Sequence, residues 1–281
     1  MKKLWLVLGF LVLTGCSSKL AYNNLDWLVY WYMDDYVELN DSQEAIFDVK
    51  LEGWIEWHRE EQLALYLTQL EQLEQDIKQD KLDKDVIANH LNQANEHVMT
   101  LRSKLAPELA ELAYRLSDDQ VIYLFAAIQK ENREEQEELD EYNSMSKNER
   151  LDKLIDNFED DFEENLGDLT DKQKQLIVEA APHFASTRGN WLEYRVTMQN
   201  EARRLFASRA NAEVFQQKLT HLLTHPDDYR SDEYLAQRQA NREAYLSLAN
   251  DLSQTMSLKQ KTHLLKQLRD IIDDVKSLQN D

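Results

Sequence analysis

The sequence predicts an all-α protein, an elongated bundle of long antiparallel helices with two duplicated halves as its expected organisation. Three observations carry this. Beyond residue 15 there are three glycines (Gly53, Gly167, Gly189) and three prolines (Pro107, Pro182, Pro226), too few to turn a many-stranded sheet. Apolar residues recur at helical rather than alternating spacing. Helix-start signatures recur along the chain.

The first segment precedes the bundle. Lys2 and Lys3 lead into an unbroken apolar run, Leu4 to Leu13, followed by Thr14, Gly15 and Cys16. This is the layout of a secretory signal over residues 1–15, too short to span a bilayer. Cys16 is the single cysteine, and a free thiol on an exported protein needs a dedicated use. Leu13-Thr14-Gly15-Cys16 resembles the lipobox of bacterial lipoproteins. The resemblance implies cleavage before Cys16 and acylation of Cys16. Because Ser17 and Ser18 follow rather than an aspartate, it also implies lodging in the outer membrane with the body facing the periplasm. Acyl chains at roughly 0.8 kcal/mol per buried methylene suffice for such an anchor.

Residues 16–38 form an aromatic-rich opening. Trp27-Leu28-Val29-Tyr30-Trp31-Tyr32-Met33 is apolar all round, which predicts a buried first helix. The competing placement in the lipid headgroup zone is opposed by Asp34, Asp35 and Glu38, which anionic lipid repels. A long helix is then expected over Asp41 to Ile77, with Ile46, Val49, Leu51, Trp54, Trp57, Leu63, Leu67, Leu70 and Leu73 on its apolar positions. Further helices are expected at 84–115, 117–142, 147–166, 170–208, 211–224, 232–254 and 257–278, with Gly167 and Pro226 as stops. The two halves fall at 39–166 and 167–281.

Removing residues 1–15 takes Lys2 and Lys3 and no acid, so the formal charge moves from −21 to −23. Such a body lacks the clustered cations that nucleic acid requires. Cationic partners are the ones its field favours.

One phrase occurs four times: Leu39-Asn-Asp-Ser-Gln43, Leu116-Ser-Asp-Asp-Gln120, Leu169-Thr-Asp-Lys-Gln173 and Met256-Ser-Leu-Lys-Gln260. Asn40, Ser117, Thr170 and Ser257 can each accept from a free backbone N–H, and the Gln three positions on can reach back: a capping box. The Leu or Met before the cap fixes the angle of entry. The phrase resembles the L-T-x-x-Q motif of the Spy and CpxP family of periplasmic proteins, helical cradles that bind unfolded clients. That resemblance implies a non-catalytic binding module for polypeptide partners, although those cradles are basic and this body is acidic. Gln43 to Gln120 spans 120 − 43 = 77 residues and Gln173 to Gln260 spans 260 − 173 = 87, as if a two-motif unit had been duplicated. Within the pairs, Gly53-Trp54-Ile55-Glu56-Trp57 corresponds to Gly189-Asn190-Trp191-Leu192-Glu193-Tyr194, apart from one inserted residue. The chain is also similar to uncharacterised proteobacterial lipoproteins that open with an aromatic-rich segment, here Lys19 to Trp27, and carry a Trp-His pair in the first long helix, here Trp57-His58.

Trp54, Trp57, Trp191 and Tyr194 are the candidate partner-binding residues, with ordinary core packing as the alternative and a structural spacer as the alternative function. No cofactor and no metal is expected. Glu159-Asp160-Asp161-Phe162-Glu163-Glu164 lacks the spacing of a calcium loop. His221 and His225 stand four apart without an evident third ligand. The chain has no Gly-x-Ser-x-Gly elbow, phosphate loop or dinucleotide fingerprint, so the expectation is that it is not an enzyme.

Overall fold

The computed structural model describes residues 20–280. Among them are eleven α-helices and no strand. A short first helix, α1 (Leu25–Met33), precedes α2 (Asp41–Trp57). A π-helical turn, His58–Gln62, joins α2 to α3 (Leu63–Lys78) without a break. The chain returns along α4 (Lys84–Tyr114) and goes out again along α5 (Asp118–Ser144), and α6 (Lys147–Leu166) leads to the second half. There α7 (Asp171–Ala180) and α8 (Arg188–Ala207) form the outgoing arm. The return is shared by α9 (Ala212–Thr224) and α10 (Asp232–Ser253), and α11 (Leu258–Asn280) goes out again.

Helix starts follow local chemistry. Asn40, Ser117, Ser146 and Thr170 each close a complete capping box, and Asp83 caps α4 through Asp85 and Val86. Gly167 ends α6 at φ +75°, where a Cβ would be strained.

The helix expected at 170–208 is in fact two. Pro182 opens a 3-10 turn at Ala181–His183 and α8 starts at Arg188, because a proline inside a helix removes a donor and clashes with the carbonyl one turn back. Asn241 of α10 holds the gap by bonding both the N–H and the carbonyl of Ala185 at 2.8 Å. Pro107, by contrast, lies inside α4. The buried Ala106 and Ala110 flank it where α9 packs closely along α4.

The first helix is also corrected. None of its residues is buried; Trp27 is 61% and Trp31 48% exposed, their rings stacked 6.3 Å apart. Val29, Tyr30 and Met33 cover the opposite side, against Phe47, Leu51 and Trp54. Nine residues pressed against one neighbour can bury one face only.

Both halves run out, back and out, but each of the first two arms of the second half is interrupted at a proline, Pro182 and Pro226. They interlock: α3 packs on α11, α4 on α9 and α10, and α5 on α8. Apolar side chains gather in separate clusters. One end holds Phe125, Phe206, Phe215 and Leu222, the other Leu166, Leu169, Ile177 and Leu252.

Candidate binding cleft

The repeated phrase ties the two ends shut. Each Gln turns its side-chain oxygen to its own cap: Gln43 to Asn40 N–H at 3.0 Å, Gln120 to Ser117 at 2.8 Å, Gln173 to Thr170 at 2.9 Å and Gln260 to Ser257 at 2.9 Å. Each then sends its NH2 across to its mate. Gln43 Nε2 donates to Gln120 Oε1 (3.0 Å) and Arg115 O (2.9 Å), while Gln120 Nε2 donates to Gln43 Oε1 (2.7 Å) and Glu38 O (2.6 Å). At the other end Gln173 donates to Gln260 (3.2 Å) and Thr255 O (3.4 Å), and Gln260 to Gln173 (2.8 Å) and Asp168 O (3.0 Å). In all four cases the accepting carbonyl lies five residues before the partner glutamine. Leu39, Leu116, Leu169 and Met256 pack into the clusters beside these pairs. The motif residues therefore act as clamps.

Between the ends the arms of both halves converge without filling the space. α1, α2, the π-turn, α3, α4, α5, α8 and α11 surround a cleft of about 1020 Å³, at the upper end of the roughly 300–1,000 Å³ typical of small-ligand sites. Leu51, Val98, Leu101, Leu105, Ile128 and Met198 give it aliphatic walls, and Tyr22, Trp54, Tyr66, Trp191 and Tyr194 give it rings. On α4, Ala94, Val98, Leu101 and Leu105 share one face by helical spacing, and His97 sits within that stripe.

The polar groups of the wall face one another. Tyr22 Oη lies 2.9 Å from His58 Nδ1, and His97 Nε2 lies 2.8 Å from Gln69 Oε1. Tyr32 Oη donates to Tyr36 Oη at 3.1 Å, Tyr36 donates to Glu131, and Arg195 pairs with the same carboxylate. Gln199 exchanges amide bonds with Asn132. Trp54 Nε1 is a buried donor with no acceptor, on a residue 7% exposed.

Burial keeps the rings neutral. It pulls His58 down to about 4 from an ordinary 6.5 and lowers His97, and it pushes Tyr66 up to about 12 and raises Tyr22. Tyr36 is raised by burial and by its bond to Glu131. The π-turn sets His58 in place, since Leu63 N–H reaches back five residues to His58 O. Such turns recur at functional sites.

Trp54, Trp191 and Tyr194 all line the cleft, whereas Trp57 does not. Trp57 donates to Glu61 at 3.0 Å and carries the Lys104 ammonium over its ring at 5.4 Å. Trp54 is buried and the other three rings are half-buried, so none stands out as a freely exposed anchor. Cys16 lies outside the described residues. Tyr22, Tyr66 and His97 are cleft residues that the sequence pattern did not single out, and His58 stood out only as half of the Trp57-His58 pair. The signal for His97 was there, a titratable ring on an otherwise apolar helical stripe. The acidic run of α6 is engaged in part by Lys174, which bonds Glu159 at 3.0 Å and Glu163 at 3.1 Å. His221 pairs with Asp228 at 2.9 Å and stacks on His225. Among the described residues no group of three potential ligands gathers for a metal.

Residues 35–235 match the model of a family of unknown function, DUF6279. No curated protein and no solved structure matches the chain.

Proposed function

For a chain that belongs to the DUF6279 family, we propose the role of a periplasm-facing, outer-membrane lipoprotein that works as a non-catalytic binding module for polypeptide partners, with the cleft as its binding site. One observation carries the reading: the cleft of about 1020 Å³ is walled by apolar and aromatic side chains. Filling it with apolar surface from a partner gains about 25 cal/mol for each Å² removed from water.

The test is a photo-crosslinking residue at Val98, which lines the cleft, in cells carrying the full-length gene. The expected result is a discrete set of polypeptide adducts that Ala94→Trp, which puts an indole into the same wall, abolishes. Adducts that persist unchanged in Ala94→Trp would refute the cleft as the site. Anchoring is tested separately: Cys16→Ser should end incorporation of labelled fatty acid.

The structural-spacer reading is favoured by one specific observation, the burial of Trp54 against Phe47 and Leu51. It requires Trp191, which is half-buried, to be as costly to replace as Trp54. Under the binding reading Trp191→Ser lowers the adduct yield while the melting temperature holds.

A further inference from the structure

Resting on that binding reading, we infer that the guest of the cleft is an amphipathic α-helix, apolar on one face and bearing Lys or Arg on the other. The wall itself argues for this. An extended polypeptide brings a free N–H and C=O at every residue, and a buried backbone group without a partner costs about 1–3 kcal/mol. Around the cleft most side-chain partners are already engaged, Tyr22 by His58, Gln69 by His97, Tyr36 and Arg195 by Glu131, and Gln199 by Asn132, which leaves few groups, such as the hydroxyls of Tyr66 and Tyr194, against one N–H and one C=O for every residue of an extended guest. A helix satisfies its own backbone and presents only side chains.

A free fatty acid also lacks a backbone, but its carboxylate needs a cation. Arg195 is the one Lys or Arg among the described residues lining the cleft, and Glu131 holds it. Charge outside the cleft points the other way. Beyond Ile128 and Glu131, α5 continues with one cation, Arg133, and then Glu134, Glu137, Glu138, Asp140 and Glu141, all exposed. Glu135 and Glu138 share a small recess with Arg188, Trp191 and Arg195, the last two of which also line the cleft. An apolar slot bordered by this acidic arm suits a helix whose outer face is basic.

The experiment uses full-length Cys16→Ser protein purified without detergent and four probes. These are a labelled Leu/Lys peptide of helical period, the same peptide with two central prolines, a Leu/Glu analogue, and palmitate as competitor. The Leu/Lys peptide should bind, the proline and Glu peptides should bind at least about tenfold more weakly, and palmitate should not displace it. Glu137→Lys, Glu138→Lys and Glu141→Lys together should reverse the preference between the Lys and Glu peptides. Equal binding of the proline peptide, or displacement by palmitate, overturns the helix inference while leaving the cleft as a binding site. Leu/Lys binding that Ala94→Trp does not weaken, or no binding by any probe, overturns the inference and the cleft reading together.

Discussion

Gln173 and Gln260 are 0% and 3% exposed, whereas Gln43 and Gln120, with the same bonds, are half-buried. Water can replace a lost partner in the second pair and not in the first. Gln173→Ala should therefore cost about 2–4 kcal/mol, through a lost cap and an unsatisfied Gln260, and Gln43→Ala should cost about half as much; denaturant melts of the two variants rank them. His58 gives a pH signature. Its folded pKa of about 4 lies below the ordinary 6.5, so between those values the unfolded chain binds the extra proton. The stability from a neutral His58 is complete above about pH 6.5 and is lost as pH falls towards 4. Its size is roughly 3 kcal/mol. Melting His58→Gln beside the parent from pH 7 to 4 should show the gap between them narrow by that order, with carboxylate titration cancelling in the difference.

Along single elements, local rules reached far and failed where two of them competed. The capping boxes at Asn40, Ser117, Ser146 and Thr170 were legible because each needs only four consecutive residues. The split of the 170–208 helix at Pro182 went unseen because apolar spacing continues on both sides of it, and Pro107 shows that the same residue type can stay inside a helix. Nothing in His58-Arg-Glu-Glu-Gln62 announces a π-turn. Its extra residue is absorbed by one wide turn, which leaves α2 and α3 facing the same way. Deleting Glu60, which is exposed, should accordingly restore α geometry with a melting temperature within a few degrees of the parent. The deletion should also weaken the His58 pH signature, because it shifts His58 against Tyr66 of α3 and uncovers a ring whose pKa is lowered by burial. A collapse of the fold would show that the turn is structural.

At the scale of the whole molecule, composition foretold a helical, strongly acidic body, while the cleft was invisible because its wall draws on elements far apart in sequence, from Tyr22 to Leu278. With a formal charge of −21, self-repulsion opposes the compact state. Raising salt from 0.01 to 0.15 M shortens the screening length from about 30 to about 8 Å, and the melting temperature should climb by several degrees; a fall would mean that ion pairs such as Lys50 with Glu108 and Glu111 outweigh the repulsion. The glutamine clamps have a kinetic consequence. Each cap closes over three residues, but each pair joins points 77 or 87 residues apart, and closure entropy grows with the logarithm of that length. Caps therefore form early in folding and the pairs late. Gln43→Glu keeps an acceptor for the cap but removes the crossing NH2, so stopped-flow traces should show faster unfolding with refolding little changed. The same four side chains thus start the helices through their oxygens and, last of all, lock the two ends through their NH2 groups, so the barrier to opening is raised by bonds that form after the search for the fold is over.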